Sequence, residues 1–185
     1  MAFNDDAVIA ISTAHFYTAP PGTPAPTNPN KVDTPWEDVG HTTLEDILSM
    51  STDGGDKTVL GTLQNRNLKT SYAARNVAFN FSIHQFDEAG LKLYLGSNAV
   101  IEDGRIGQAD NPQPSQLAWY VLIEDGEHCL DFYAPKADII GADDLDLSDT
   151  ESLSALPLSV SPLRMAGKKA AWYASGVKDM PKSGS

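Results

Sequence analysis

Two runs of β-favouring residues on either side of a turn signal constrain the fold of this chain more than any other feature. Residues 116–124 (QLAWYVLIE) and residues 127–133 (EHCLDFY) are rich in aliphatic and aromatic residues, and Asp125-Gly126 lies between them. An Asp-Gly pair in this position is a strong hairpin signal and favours a type I′ turn. The sequence therefore predicts an antiparallel β-hairpin in the second half of the chain.

A second strand signal lies in residues 77–84, where apolar and polar side chains alternate. Val77, Phe79, Phe81 and Ile83 fall on one face, which is the pattern of a strand with one buried side. Further strands are predicted at residues 7–17, 58–63, 68–72, 137–140 and 153–163.

One short helix is predicted after residue 86. Asp87 is a good N-cap residue, Glu88 is in the first turn, and Gly96 is placed to end the helix. Many short strands and one helix predict a mainly β fold. We expect a β-sandwich or barrel with one short helix and long extended loops and arms, in a single domain spanning residues 1–185.

Proline marks the segments that do not fit a regular strand. Residues 19–35 are dense in proline, which fixes φ and removes backbone donors, so we predict a loop or an extended arm there. Such an arm is either mobile or laid over a neighbour. Pro157 and Pro162 favour an edge or bulged position for the strand at 153–163. Residues 178–185 are predicted to form a flexible C-terminal tail.

The chain is acidic, with a formal net charge of −12, and this argues against a protein that grips nucleic acid. The acids are concentrated in residues 121–160, whereas residues 161–185 are basic, which suits head-to-tail contact between identical copies. Cys129 is the single cysteine and cannot form an internal disulfide, so we expect synthesis in a reducing cytoplasm. No apolar run is long enough for a transmembrane helix, and we expect no membrane insertion.

The sequence contains none of the common motifs that carry chemistry. Nucleotide-binding loops, the GxSxG elbow, HExxH and CxxC are all missing from it. We therefore predict no catalytic, cofactor-binding or metal residue, no cofactor, and no enzymatic activity. A small β-rich enzyme or binding domain is the competing interpretation, and it requires a pocket of convergent polar groups.

A likeness to a known family rests on six segments in the middle of the chain. They are residues 36–46 (WEDVGHTTLED), 54–56 (GGD), 60–65 (LGTLQN), 68–71 (LKTS), 85–87 (QFD) and 91–99 (LKLYLGSNA). In this order and spacing they resemble the major tail tube proteins of long-tailed, non-contractile phages of actinobacterial hosts. The likeness covers residues 36–99 closely and extends loosely to residues 156–158.

The resemblance implies a structural virion protein of the phage tail that is made in the host cytoplasm. Proteins of this kind assemble with themselves into hexameric rings, and the rings stack into a hollow tube. Double-stranded DNA passes through the tube during ejection without specific binding, so acidic side chains in the channel would keep it sliding. The implied partners are the tail-tip, tape-measure and terminator proteins. A tail terminator, a capsid decoration protein or a secretion tube subunit is the alternative.

Residues 49–76 correspond by position to the loop that connects successive rings in that family. We expect inter-ring contacts from six residues of this ring-stacking loop: Gly54, Gly55, Gly61, Arg66, Lys69 and Arg75. A plain surface hairpin is the competing interpretation. The proline-rich arm and the basic tail are expected to become ordered against neighbouring subunits. The arm matches no motif of that family, and decoration of the outside of the tube is the alternative for it.

Overall fold

The structure is a computed structural model that describes residues 3–4, 7–145, 147 and 153–181. Within these ranges the chain forms thirteen strands and one α-helix, α1 (Glu88–Leu95). The strands are β1 (Thr13–Ala19), β2 (Glu37–Asp38), β3 (Ser49–Gly54), β4 (Lys57–Leu60), β5 (Lys69–Tyr72), β6 (Arg75–Ile83), β7 (Val100–Glu102), β8 (Arg105–Gly107), β9 (Ser115–Asp125), β10 (His128–Gly141), β11 (Leu156–Pro162), β12 (Tyr173–Ala174) and β13 (Lys178–Asp179).

One antiparallel sheet of nine strands dominates the fold, which confirms the prediction of a mainly β protein. Its strand order is β2-β1-β9-β10-β11-β6-β3, and β12 and β13 also pair with β10. The predicted hairpin is the centre of this sheet, because β9 and β10 pair from Asp125 and His128 down to Ser115 and Ile139. β4–β5 and β7–β8 form two separate two-stranded ladders.

The turn of the central hairpin differs from the predicted one. Asp125 and His128 are still paired, so the connecting residues are Gly126 and Glu127. Gly126 has a φ of +57°, and Glu127 is not among the residues with positive φ. A positive φ at the first connecting residue alone is the pattern of a type II′ turn, so the predicted type I′ turn at Asp125-Gly126 is wrong. An Asp-Gly pair with two positive φ values is found instead at residues 103–104, between β7 and β8.

The main hydrophobic core is enclosed by the curl of the sheet. Phe16 of β1 stacks on Phe81 of β6 with ring centroids 4.6 Å apart, although β9, β10 and β11 separate these strands within the sheet. Residues 39–43 cross between the two sides, since the Val39 N–H donates to the Phe16 carbonyl and Thr42 forms a bridge with Ile83. The ladder itself remains open, so the sheet is a curled layer rather than a closed barrel.

Helix α1 lies against this core, and its N-cap and C-cap are the predicted residues Asp87 and Gly96. The Gly90 N–H donates to Asp87 Oδ1 at 2.8 Å, and the Gly96 N–H donates to the Lys92 carbonyl. Gly90 is a poor helix former, but a Cβ there would lie 2.3 Å from the Gln85 carbonyl oxygen. The close approach of the helix to the chain that precedes it therefore requires glycine at this position.

Strand β11 is an interior strand between β10 and β6, so the predicted edge position is wrong. Pro157 is tolerated because it lies opposite Ser82, whose carbonyl faces away from β11 and accepts the Thr43 N–H. On its other side, pairing with β10 ends at Leu158, and the Pro157 carbonyl accepts the Ala142 N–H. No ladder bond to β6 is lost, since this position does not bond to that strand.

The proline-rich segment packs on its own subunit. It covers a second hydrophobic cluster on the opposite side of the sheet, which includes Trp36, Tyr120 and Tyr133. Trp36 Nε1 donates to the Pro24 carbonyl, and the Tyr133 hydroxyl donates to the Thr23 carbonyl at 2.7 Å. The expectation that neighbouring subunits order this segment is therefore wrong for these contacts, because the chain supplies the surface itself.

The C-terminal segment also differs from the expected loose tail. β13 pairs with the start of β10, an ion pair joins Lys178 to Asp131, and His128 Nδ1 lies 3.1 Å from Asp179 Oδ1. Met180 packs on the second hydrophobic cluster. The chain is thus held in place up to Pro181, and residues 182–185 of the predicted tail lie outside the described residues.

Candidate assembly surfaces

Residues 49–76 form one continuous two-stranded arm, which we call the long hairpin. Its base is the β3–β6 pair, which ends at Gly54 and Arg75. Backbone hydrogen bonds continue from there, since the Gly55 N–H donates to the Ala74 carbonyl and the Ala73 N–H donates to the Asp56 carbonyl, both at 3.0 Å. The β4–β5 ladder follows directly, so the arm leaves the sheet without a break in pairing.

The long hairpin buries almost none of its side chains against its own subunit. Every residue of β3, β4 and β5 is exposed. Large apolar side chains are among them: Met50, Val59, Leu60, Leu63, Leu68 and Tyr72. Leu63 at the tip is 97% exposed. A lone two-stranded hairpin is only marginally stable in water, and clustered exposed apolar residues mark interaction surfaces.

Three of the six predicted contact residues lie together at the bend of the long hairpin. Gly54 and Gly55 have φ values of +80° and +82°, and a Cβ on Gly54 would lie 2.6 Å from the Ala74 carbonyl oxygen. The Arg75 guanidinium lies over Gly55. These glycines shape the bend, because a left-handed backbone with so little space excludes other residues.

The other three predicted residues lie near the tip. A Cβ on Gly61 would lie 2.3 Å from the Arg66 carbonyl oxygen, so this glycine keeps the end of the arm narrow. Lys69 pairs with Leu60 in the ladder. The side chains of Arg66 and Lys69 are exposed at the end of the arm, where another molecule can reach them. Their part in contacts between rings stays a prediction.

The outer half of the long hairpin is basic in an acidic chain. Residues 57–72 contain Lys57, Arg66 and Lys69 and no aspartate or glutamate, whereas the whole chain has a net charge of −12. This run of sixteen residues without an acid is a sequence signal that could have marked the segment as a contact surface. The exposed leucines Leu60, Leu63 and Leu68 are not among the predicted contacts, because apolar residues in or beside predicted strands are expected to be buried.

A second candidate surface is the polar face of β3, β6 and β11. The register places the apolar residues of β6 and β11 on the core side, so the intervening residues point the other way. Apart from Pro157, which lies opposite Ser82, we call these residues the polar face: Ser49, Ser51, Asp53, Asn76, Ala78, Asn80, Ser82, Ser159 and Ser161. All of them are half-buried or exposed, and neither hydrophobic cluster includes them.

The described residues show no arrangement typical of an enzyme site. No group of three or more His, Cys, Asp or Glu in this part of the chain is placed to hold a metal ion. Cys129 is fully buried, and burial raises the pKa of its thiol, which disfavours the nucleophilic thiolate. In the same residues, α1 is too short to cross a membrane, and no other helix of spanning length occurs.

Comparison with known proteins decides between these interpretations. The family model for the phage tail tube protein matches residues 1–182. The chain belongs to the phage tail tube protein family. It is 34% identical over 171 residues to the major tail protein Gp23 of Mycobacterium phage D29, with 85% of each chain covered. It is 33% identical over 171 residues to the major tail protein Gp23 of Mycobacterium phage L5, again with 85% of each covered.

Membership of the tail tube protein family confirms the resemblance seen in the sequence. This tail tube protein is a structural component of the virion tail. The prediction that it is not an enzyme is confirmed by the same membership, because the family is structural.

Proposed function

We propose that this tail tube protein polymerises into stacked hexameric rings, and that the long hairpin of each copy contacts the next ring. The observation that carries this proposal is the exposure of the whole outer hairpin, including its apolar side chains. β4 continues the arm from Lys57 to Leu60, which adds roughly 10 Å at about 3.3 Å per strand residue before the turn at the tip. An arm of this length with exposed apolar side chains is suited to contact a neighbouring copy.

Contacts within a ring are supported by the ends of the sheet. β2 pairs only with Tyr17 and Thr18, so the first half of β1 carries little cover on that side. At the other end of the sheet, β3 pairs with β6 alone. Exposed edges of this kind lead to uncontrolled pairing unless a defined neighbour covers them. A ring of identical copies would pair one end of each sheet with the other end of the next.

The polar face would line the channel through which DNA passes. Its own hydroxyl and amide side chains carry no positive charge to neutralise phosphates, and the arginines at its border are two, Arg75 and Arg164, in a groove that also contains Asp53. DNA would therefore be held only weakly there. The face also lacks large apolar groups that would stick to bases or to a tape-measure protein. Its acids are few, with Asp53 at its edge, so binding of DNA is avoided mainly by small neutral groups. Tail-tip and terminator proteins would cap the two ends of the tube.

Negative-stain electron microscopy of the purified protein tests the assembly proposal. We expect hollow filaments of stacked rings after concentration or after addition of a tail-tip nucleus. Rings that never stack would contradict the tube and indicate a terminator-like role. Compact monomers in the presence of the nucleus would contradict polymerisation altogether, and size-exclusion chromatography of the same sample would separate these outcomes.

Adding positive charge to the polar face tests its role in the channel. In phage carrying Ser159→Arg with Ser161→Arg, we expect tails of normal length and a fall in delivered DNA on the order of tenfold, because each ring gains phosphate-binding groups. Ser159→Asn with Ser161→Asn is the matched neutral control and should behave as wild type. Normal DNA delivery through tails that contain the arginine variant would place this face away from the channel.

A further inference from the structure

The tip of the long hairpin carries both basic and apolar side chains, so a complementary site must combine acidic residues with an apolar floor. Its exposed residues combine the leucines Leu60, Leu63 and Leu68 with the cations Arg66 and Lys69. An exposed charge beside an apolar contact gives orientation and partner choice, whereas the leucines supply most of the burial. A receiving site on another copy must offer both features together.

The groove at β7–β8 has an excess of only one carboxylate, with Glu102 and Asp103 against Arg105. A second groove among the described residues has an apolar floor and an excess of two carboxylates over bases. It lies between α1 and the segment around β2, and its volume is about 390 Å³. Its floor is apolar, formed by Ala19, Pro20, Pro35, Val39, Leu93 and Leu117. Its rim carries three carboxylates, those of Glu37, Asp38 and Asp87. We call it the acidic groove. Its size accepts a few side chains rather than a whole two-stranded arm.

Two of the three carboxylates of the acidic groove, those of Asp87 and Asp38, are held in position at its rim. Asp87 accepts the Gly90 N–H and also accepts from Gln85 Nε2 at 2.7 Å, and these bonds hold the pKa of Asp87 below its usual value. Asp38 Oδ1 accepts the Gly40 N–H at 2.7 Å. Lys92 is the one basic residue that lines the groove, and it is paired with Glu88 at 2.6 Å. The rim is therefore a fixed negative surface.

Two other grooves of the subunit fit a basic tip less well. The groove at the base of the long hairpin is lined by Arg75 and Arg164 against a single acid, Asp53, and would repel further cations. The groove beside β1 has Asp38 as its one acid. Charge complementarity therefore favours the acidic groove among these three.

We propose that the tip of the long hairpin of one copy docks into the acidic groove of a second copy. The leucines of residues 60–69 would cover the apolar floor, and Arg66 and Lys69 would face Glu37 and Asp38. This inference rests on the proposed stacking of rings and names the site that receives the hairpin.

Charge reversal on each side separates this inference from the proposed function. We expect Arg66→Glu with Lys69→Glu to stop filament formation, Glu37→Lys with Asp38→Asn to stop it as well, and the four changes combined to restore it. The amide oxygen that Asp38→Asn introduces can still accept the Gly40 N–H, so the turn is kept. Glu102→Lys, an exposed acid on β7, is the control and should still assemble.

Filaments formed by the hairpin variant would overturn the stacking role itself. Filaments formed by the groove variant alone would overturn only the groove.

Disulfide trapping gives a direct measure of the contact. Cys129 is the single native cysteine and is fully buried, so introduced cysteines are the accessible thiols. In filaments of Leu63→Cys with Ala89→Cys, oxidation should link successive copies into a ladder on a non-reducing gel. Leu63→Cys with Ser161→Cys is the matched control, since Ser161 lines the groove at the hairpin base, and it should give no ladder. No ladder from the first pair, or an equal one from the control, would overturn the groove assignment.

Discussion

Replacement of residues 57–72 by an Asn-Gly turn is expected to abolish filament formation while leaving the subunit folded. The deleted residues are all exposed and none belongs to either hydrophobic cluster, so the free energy of unfolding should change by less than about 1 kcal/mol. The remaining ladder ends at the bond between Asp56 and Ala73, which an Asn-Gly pair can close as a tight turn. Assembly should fail because the surface that reaches the next ring is gone.

Two measurements are needed to interpret the effect of this truncation. Urea unfolding of the wild-type and shortened subunits compares their stability, and electron microscopy compares their assembly. Deletion of residues 101–106 from the β7–β8 hairpin is the control for loss of an exposed arm, and this variant should still form filaments. Filaments of normal appearance from the chain shortened at 57–72 would show that the long hairpin is a plain surface hairpin, as the competing interpretation holds.

Trp119→Ala is expected to lower the free energy of unfolding by about 3–5 kcal/mol, which is a large fraction of the total for a domain of this size. Trp119 is completely buried in the middle of β9, with its ring 5.0 Å from that of Phe79 and 6.4 Å from that of Phe81. Loss of the indole removes contacts to the strands on which the curl of the sheet depends. Urea unfolding of the unassembled subunit measures the effect.

Trp119→Phe is the matched control because it keeps an aromatic ring in the same place. Trp119 Nε1 is buried and has no hydrogen-bond partner among the described residues, so its removal costs no hydrogen bond. We expect Trp119→Phe to lose clearly less stability than Trp119→Ala. Equal losses for the two variants would show that the site needs the whole indole ring and that a phenyl ring recovers none of its packing. A loss below about 1 kcal/mol for Trp119→Ala would contradict the central role of this core.

Features that depend on neighbouring residues along the chain were predicted well. The Asp87 cap and the Gly96 end of α1 are local, because each cap bond joins residues within about one helical turn. The alternation from Val77 to Ile83 identified the buried face of β6, since the period of a strand does not depend on its partners. Charge and the missing motifs argued against nucleic-acid binding and common enzyme chemistry, and the resemblance of residues 36–99 to tail tube proteins indicated a structural protein.

Features that depend on distant residues were predicted poorly. Pro157 indicated an edge strand, but it lies in an interior strand. An interior position is possible because β10 stops pairing at Leu158 and because the Ser82 carbonyl accepts the Thr43 N–H. The proline-rich segment indicated an arm for a neighbour, yet it finds its surface on Trp36 and Tyr133 of the same chain. Local sequence patterns cannot predict either outcome, because each depends on contacts between segments that are far apart in the sequence.

The long hairpin combines both kinds of information. Its position, its glycines and its basic charge can be read from residues 49–76 directly, because turn preference and charge are properties of the residues themselves. Its isolation from the rest of the subunit cannot, because apolar residues at Leu60, Leu63 and Leu68 are equally consistent with a buried strand. Whether a side chain is covered depends on what the rest of the chain leaves beside it, and that follows from the packing of the whole sheet.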